Sequence, residues 1–244
     1  MLTSPTLQTL TELGLRAMAR AYREQMENAE LQSLSFDERL GLMVDREWSE
    51  RQSRRLARRL AEAHLRLPAA LEAIDFEVVR SLDKALVHRL AEGRWLAEHR
   101  NVLITGPTGV GKTFVACALG NAACRQGFRV HYLRLARLLT ELELARADGT
   151  LPKFLARLAH TDLLVIDDWG LSPIEPHQAR GLLEVIDDRT ETRSTLIASQ
   201  IPMDSWHATI LDPTVADAIL DRLAHNAYRL DMQGGSMRKV RQPG

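Results

Sequence analysis

Residues 101–113 read NVLITGPTGVGKT, a short apolar run followed by a glycine-rich turn and a Lys-Thr pair. Residues 106–113 fit the pattern G-x-x-x-x-G-K-[ST], which requires a strand before the loop and a helix after it. Backbone N–H groups of such a loop surround a phosphate, and the helix N-terminus adds partial positive charge. A chance match in a glycine-containing turn is the alternative, but it would not explain the flanking strand and helix. The stretch therefore predicts a nucleotide site in an α/β domain.

The residue types in this loop indicate which parts of the nucleotide they contact. Lys112 can reach the β- and γ-phosphates, and the hydroxyl group of Thr113 can ligate Mg²⁺. We therefore expect ATP and Mg²⁺ as cofactors, with Lys112 also taking part in catalysis. The expected nucleotide contacts are Gly106, Pro107, Thr108, Gly109, Val110, Gly111, Lys112, Thr113 and Phe114.

A second apolar run, residues 163–166, is followed at once by Asp167 and Asp168. Ligands of open α/β sheets bind at the carboxyl ends of the strands. We expect Asp167 to hold Mg²⁺ and Asp168 to act as general base on the attacking water; the alternative is that both acids only end the strand and face solvent. Gln200 ends a further apolar run and could orient the water or sense the γ-phosphate, or it could simply begin a loop.

The pattern after residue 100 predicts an α/β fold, because short apolar runs alternate with amphipathic stretches. This alternation is typical of a parallel sheet flanked by helices. The predicted strands are 101–105, 129–133, 162–166, 194–199 and 228–231.

The region before residue 67 predicts a small all-helical domain, because its leucines recur at helical spacing and no strand-like run occurs. Ser35 and Glu38 resemble a capping box that starts a long helix from about 36 to 66, and Pro68 is expected to end it. We therefore expect three regions. They are a helical N-terminal domain that binds DNA or a partner (1–67), a linker with the start of the ATPase domain (68–98), and the ATPase domain (99–244).

The composition excludes a globally basic protein that coats nucleic acid. Thirty-two Lys and Arg balance thirty-two Asp and Glu, so anions must bind at local patches. We expect a cytoplasmic protein without membrane contact. The chain has two cysteines and no secretory leader, and no apolar run approaches the roughly 20 residues that a membrane span needs.

Five arginines with no acid among them form a stripe within the long helix. At about 100° per residue they fall within an arc of roughly 140°, which suits contacts with DNA phosphates. The alternative is a solvated face paired with Glu47, Glu50 and Glu62. No aromatic residue is interleaved, so base stacking is not expected. The stripe consists of Arg51, Arg54, Arg55, Arg58 and Arg59.

Two further arginines follow the predicted sheet. Residues 212–214 read DPT and indicate a helix start, which places Arg222 near the end of that helix. On spacing alone Arg222 is an ordinary surface residue. Arg238 lies in the basic tail GGSMRK, residues 234–239.

Together these segments resemble AAA+ ATPases of the DnaC/DnaA branch, and most closely the IstB-like helper ATPases of bacterial insertion sequences. The likeness covers nearly the whole chain. The matching segments of the ATPase domain are 101–113, 162–170, 199–200, 219–223 and 236–239, and those before it are 35–40, 46–47, 51–60 and 71–76.

The resemblance implies functions for residues that the patterns alone left open. Arg222 is implied to be an arginine finger that reaches the nucleotide of a neighbouring subunit, so the chain is expected to form a multimer. Arg238 is implied to be the sensor-2 arginine. In related initiators and loaders the helix after the second strand lines the DNA channel, so Arg134 and Arg137 are further candidates for DNA contacts. Tyr132 and Trp169 are expected to be packing residues.

The resemblance also implies a function, namely an ATP-dependent transposition helper. Such a protein assembles on duplex target DNA, recruits and stimulates an IstA-like transposase, and disassembles on ATP hydrolysis. Asp168 stands where many AAA+ proteins have Glu, so we expect slow turnover that DNA and assembly stimulate. Few residues follow Arg238, so no substantial C-terminal lid domain is expected. Alternatives are a DnaC-like replicative helicase loader, a small-molecule kinase, and a nucleotide-gated DNA binder with negligible hydrolysis.

Overall fold

The computed structural model describes residues 5–76 and 81–237. The chain forms two compact units, and the division between them falls between Arg58 and Arg59, inside a long helix. No helix in the described ranges is both long enough and apolar enough to cross a bilayer.

The first unit is built from helices. They are α1 (Pro5–Glu12), α2 (Arg16–Glu27), α3 (Ala29–Gln32) and α4 (Phe36–Ala63), of which α4 continues into the second unit. The predicted capping box at the start of α4 is confirmed: the Glu38 amide donates to the Ser35 hydroxyl group over 3.3 Å, and the Ser35 amide donates to the Glu38 carboxylate over 2.9 Å.

The predicted end of α4 is wrong by three residues. The helix ends at Ala63 and does not extend to residue 66, because His64 adopts a positive φ of 51°. A residue in the left-handed region ends the helical hydrogen-bonding pattern. The helix therefore ends before Pro68, and residues 65–67 form a segment outside the helix.

The second unit contains a five-stranded, entirely parallel sheet flanked by helices, as the sequence predicts. The strand order is β2-β3-β4-β1-β5. The strands are β1 (Asn101–Thr105), β2 (Val130–Arg134), β3 (Leu163–Trp169), β4 (Ser194–Ser199) and β5 (Ala227–Asp231). The helices are α5 (Lys84–Ala91), α6 (Arg94–Ala97), α7 (Lys112–Arg125), α8 (Leu135–Ala147), α9 (Leu151–Ala159), α10 (Pro176–Arg189) and α11 (Pro213–Ala224).

Two predicted boundaries need correction near the site. Asp167 and Asp168 do not follow β3 but lie inside it, because the strand continues to Trp169 through a register shift against β4. Arg134 does not open α8: it is the last residue of β2, with extended backbone, and α8 begins at Leu135.

The core lies around the central strands. Every residue of β3 from Leu163 to Asp167 is buried, which is expected for a strand covered on both faces. Trp169 packs against Trp206 with ring centroids 5.2 Å apart, and both side chains are fully buried. This confirms that Trp169 is a packing residue.

Candidate functional site

The glycine-rich loop joins β1 to the N-terminus of α7 and is held by the segment after β5. Gly106 and Gly109 have φ angles of 144° and 87°, in the region that favours glycine. A Cβ atom at Gly106 would lie 2.1 Å from the Met232 carbonyl oxygen, and one at Gly109 would lie 2.3 Å from the Ser236 hydroxyl oxygen. Larger residues are therefore excluded from both positions by sterics as well as by backbone angle.

Lys112 begins α7 and is only 7% exposed. Its Nζ donates to the carbonyl oxygens of Gly106 and Pro107 over 2.7 and 2.9 Å, so the ammonium group lies within the turn of the loop. Burial lowers the pKa of Lys112, and the charges of Asp167 and Asp168 partly oppose this shift.

Asp167 is fixed by three hydrogen bonds and is 2% exposed. The hydroxyl groups of Thr113 and Tyr132 each donate to its Oδ2 over 2.7 Å, and the amide of Asp168 donates to Oδ1 over 2.8 Å. Tyr132 is thus a packing residue, as predicted, but its hydroxyl group also positions Asp167, which the sequence does not indicate. Burial raises the pKa of Tyr132, and its hydrogen bond to Asp167 raises it further, so its hydroxyl group keeps its proton.

The oxygen atoms of Thr113 and Asp167 fit Mg²⁺ bound together with a nucleotide. Mg²⁺ in such sites usually takes one or two protein oxygen ligands, with phosphates and waters completing the octahedron. Thr113 and Asp167 together supply such a small protein ligand set, so they fit a metal that binds together with the nucleotide.

Asp168 has a positive φ of 61°, which is uncommon for a residue other than glycine. It lies at the register shift of β3, and its side chain is partly exposed, whereas that of Asp167 is buried. Gln200 follows the end of β4, and its side-chain oxygen accepts a hydrogen bond from the Thr108 hydroxyl group in the loop. Asp168 and Gln200 therefore face the same space as the glycine-rich loop.

That space is a cavity of about 280 Å³, near the lower end of ordinary ligand sites. It brings together predicted residues from the loop, Asp167, Asp168 and Gln200. The sequence analysis missed six residues that also line it, namely Arg66, Leu67, Ala73, Asp75, Ala198 and Met237. The sequence marks residues 71–76 only as a family-like linker and 236–239 only as a family-like tail, and no motif marks the other positions.

Arg222 is not among the described residues that line this cavity. Arg222, in the last turn of α11, forms an ion pair with Asp187 of α10 and donates to the Ala218 carbonyl oxygen over 2.9 Å. Arg238 lies outside the described residues. Met237, just before it, donates its amide hydrogen to the Gly109 carbonyl oxygen over 2.9 Å. The chain leading to Arg238 is therefore attached to the glycine-rich loop.

Several of the arginines predicted to bind DNA have partners within the protein. Arg51 pairs with Glu47 at 2.7 Å, and Arg54 lies 3.7 Å from Glu47 and 3.9 Å from Glu50. Burial alone would raise the pKa of Glu47, but hydrogen bonds from Arg51 and the amides of α2 bring it below its usual value. For these two arginines the structure thus contains the ion pairs of the alternative interpretation.

The remaining predicted DNA contacts differ in exposure. Arg55, Arg58 and Arg134 are exposed. Arg59 is half-buried and donates to the Cys124 carbonyl oxygen over 3.1 Å, and Arg137 pairs with Glu141 at 2.7 Å.

Trp48 is an exposed aromatic residue on the same side of α4 as the arginine stripe. It precedes Arg51 by three residues and Arg55 by seven, so the three side chains share a helix face. Trp48 is 62% exposed, whereas Trp95, Trp169 and Trp206 are buried. The sequence analysis considered only the positions between the arginines, where no aromatic residue occurs. Trp48 lies just before them, and the helical spacing of three and seven residues would have placed it on the same face.

Comparison with known proteins gives a family match over nearly the whole chain. The family model described as IstB-like ATP binding protein matches residues 8–243. A putative insertion sequence ATP-binding protein of Sinorhizobium fredii is 48% identical over 239 residues, covering 98% of each chain. The putative ATP-binding protein of insertion sequence IS21 from Pseudomonas aeruginosa is 31% identical over 229 residues, covering 94% of this chain and 86% of the relative.

Solved structures resemble about two thirds of this chain at low sequence identity. The crystal structure of DnaI has a TM-score of 0.58 at 21% identity, covering 68% of this chain and 91% of that one. The crystal structure of the DnaC helicase loader also has a TM-score of 0.58, at 22% identity, covering 67% of this chain and 96% of that one. At this level of identity the likeness concerns the fold alone.

Proposed function

The chain belongs to the family of IstB-like ATP-binding proteins, and from this premise we propose that it is an ATPase that assembles on duplex DNA and delivers that DNA to a partner transposase. The observation that carries the proposal is the cavity in which the glycine-rich loop, the Thr113–Asp167 pair, Asp168 and Gln200 converge. These residues can bind and orient a nucleoside triphosphate, and Arg222 is not among the described residues that line the cavity.

In the proposed ATPase site each residue has one task. Backbone N–H groups of the loop and the Lys112 ammonium group bind the phosphates, and Thr113 with Asp167 holds Mg²⁺, which would neutralise charge on the β- and γ-phosphates. Asp168 accepts a proton from the attacking water, and Gln200 orients that water. The positive φ of Asp168 is backbone strain of a kind that is enriched at functional sites.

We propose that Arg222 of a neighbouring subunit completes the site as an arginine finger. Arg222 is not among the residues lining its own chain's cavity and has a partly exposed side chain paired with Asp187. An arginine supplied in trans makes hydrolysis depend on assembly, so a DNA-bound multimer would hydrolyse ATP and a free chain would not. Loss of the γ-phosphate would then favour disassembly. Arg238, following the loop-bound Met237, is proposed as the sensor-2 residue.

The proposed DNA surface lies on α4, within the expected N-terminal domain of residues 1–67. Its members are the five arginines of the stripe. Arg134 and Arg137, which belong to β2 and α8 of the second unit, are proposed as separate DNA contacts. Arg54, Arg55 and Arg58 are the exposed stripe members, and Arg54 is also near Glu47 and Glu50. Relatives are named as insertion-sequence proteins, which supports an IstA-like transposase as the partner.

We expect duplex DNA to increase ATP turnover. Steady-state phosphate release, measured with and without a duplex and at several protein concentrations, checks this, because stimulation by assembly also rises with protein concentration. Hydrolysis by a stable monomer at a rate that DNA does not change would contradict the proposal. In a pull-down, capture of a replicative helicase and of no transposase would favour the helicase-loader alternative.

Replacing Arg55 with alanine is expected to weaken duplex binding about equally for all sequences, because a phosphate interaction carries no sequence information. The negative slope of log K against log salt concentration should become shallower by about 0.9, since the variant neutralises one DNA phosphate fewer. Fluorescence anisotropy of a labelled duplex at several salt concentrations measures both effects. Arg94→Ala is the matched control, since the side chain of Arg94 in α6 is 83% exposed and pairs with Glu98, the residue after that helix. An unchanged slope would remove Arg55 from the DNA surface.

A further inference from the structure

We propose that Arg66 is a contact for the γ-phosphate supplied by the same chain that binds the nucleotide, and that it makes the site selective for ATP over ADP. This inference rests on the proposed nucleotide site. Arg66 lines the cavity together with Lys112, Thr113 and Asp168. It comes from the segment after α4, far from the glycine-rich loop in the sequence, which is why no motif indicates it.

The Arg66 guanidinium group lies near both acids of β3. Its Nη1 lies 3.6 Å from Asp168 Oδ2 and 4.0 Å from Asp167 Oδ2. Charge-assisted hydrogen bonds between an N–H donor and a carboxylate are typically about 2.7–2.9 Å long. Neither carboxylate therefore holds Arg66 in a close ion pair, and its side chain remains 45% exposed.

Tyr132 connects Arg66 to the carboxylate that we assign to Mg²⁺. Its hydroxyl group donates to Asp167 and accepts a hydrogen bond from Arg66. An arginine side chain is always protonated in proteins, so Arg66 places a positive charge next to the metal-binding group. A planar guanidinium group with several N–H donors matches phosphate oxygens in charge and in geometry.

The location beside Asp168 distinguishes the γ-phosphate from the other parts of the nucleotide. A general base must lie within hydrogen-bonding reach of the water that it activates, directly or through one further water, and that water attacks the γ-phosphorus. A cation within 4 Å of the Asp168 carboxylate is therefore at the γ end of the cavity. ATP would bring negative charge to this end, whereas ADP would not.

Binding of the nucleotide would change the electrostatic balance around Arg66. Mg²⁺ held by Thr113 and Asp167 would offset the negative charge of Asp167, which now attracts Arg66. The γ-phosphate would offer a stronger anion at the same place. Arg66 would thus contact the γ-phosphate from within the chain, and Arg222 would contact it from the neighbour.

Arg66 lies three residues after Ala63, the last residue of α4, so the γ-phosphate contact is close to the end of that helix in the sequence. Loss of the γ-phosphate would therefore release the backbone next to the helix that carries the proposed DNA surface. Ligand-dependent ordering of such a segment is a known way of coupling phosphate hydrolysis to a conformational change.

The test is equilibrium binding of a non-hydrolysable ATP analogue and of ADP, each with Mg²⁺ and without DNA, by calorimetry on the full chain. Arg66→Ala is expected to lose about 10- to 100-fold in affinity for the ATP analogue, the range for a hydrogen bond to a charged group. ADP affinity should change by less than about threefold, because ADP lacks the γ-phosphate. Arg66→Lys should recover part of the loss, and Arg94→Ala should match the wild type.

The outcomes separate this inference from the proposed function. Equal losses for both nucleotides, or an unchanged preference for the ATP analogue in Arg66→Ala, would overturn the assignment of Arg66 while leaving the ATP site intact. A wild-type chain that binds neither nucleotide would overturn both proposals. Circular dichroism of each variant checks the fold, and Arg66→Lys keeps the charge and most of the side-chain volume if Arg66→Ala fails to fold.

Discussion

Replacing Arg222 with alanine is expected to lower ATP hydrolysis on duplex DNA by about 10³-fold or more, the range for loss of an arginine finger. ATP affinity of the single chain should stay within about twofold of the wild type, a change too small for the loss of a direct phosphate interaction. The reason is geometric, since Arg222 is paired with Asp187 on α10 and is not among the residues that line its own chain's cavity. Phosphate release on duplex DNA and nucleotide titration without DNA measure the two quantities separately.

Mixing two inactive variants shows whether Arg222 acts in trans. Arg222→Ala retains Asp168, and Asp168→Asn retains Arg222, so a mixed multimer contains some interfaces with both groups intact. We expect the mixture to regain part of the wild-type activity on duplex DNA. No recovery in multimers shown to contain both variants, or wild-type turnover by Arg222→Ala alone, would contradict the assignment. Arg94→Ala, which changes another surface arginine, should behave as the wild type.

Replacing Lys112 with alanine is expected to lower hydrolysis by about 10²- to 10³-fold, the usual effect of removing one preorganised donor from a charged transition state. Lys112 is buried in the loop, and its Nζ is already directed by the carbonyl oxygens of Gly106 and Pro107. The variant should also bind the ATP analogue more weakly, because Lys112 contacts the phosphates in the ground state as well.

Lys153→Ala is the matched control for this prediction. Lys153 is an exposed residue of α9 and has no part in the proposed site. Calorimetric titration with the ATP analogue and steady-state phosphate release should give wild-type values for Lys153→Ala. If Lys112→Ala kept wild-type affinity and turnover, the glycine-rich loop would not be the phosphate site.

The parts of the site that the sequence predicts are those whose chemistry is local. The loop of residues 106–113 carries its own turn, cation and hydroxyl group, so the motif alone indicates what it binds. Asp167 is similar, because an apolar run followed by carboxylates in the sequence points to one edge of the sheet. The five strands are recognisable for the same reason, since short apolar runs between helices need no knowledge of distant residues.

The residues that the sequence does not reveal depend on interactions across long separations. Arg66 and Tyr132 reach Asp167 from other elements, and nothing in their neighbouring residues indicates this. The end of α4 depends on the backbone of His64, and the end of β3 on the register shift at Asp168. In each case a tertiary arrangement decides a feature that local propensity leaves open.

Assembly on DNA is the central claim, and electron microscopy of the protein with duplex DNA tests it most directly. With a non-hydrolysable ATP analogue, we predict multimers of uniform size on the duplex, with nucleotide sites at the subunit interfaces and Arg222 facing the neighbour's cavity. With ADP, we predict that these particles are absent or much smaller. Single chains on DNA in both nucleotide states, or multimers whose interfaces exclude Arg222, would contradict the account.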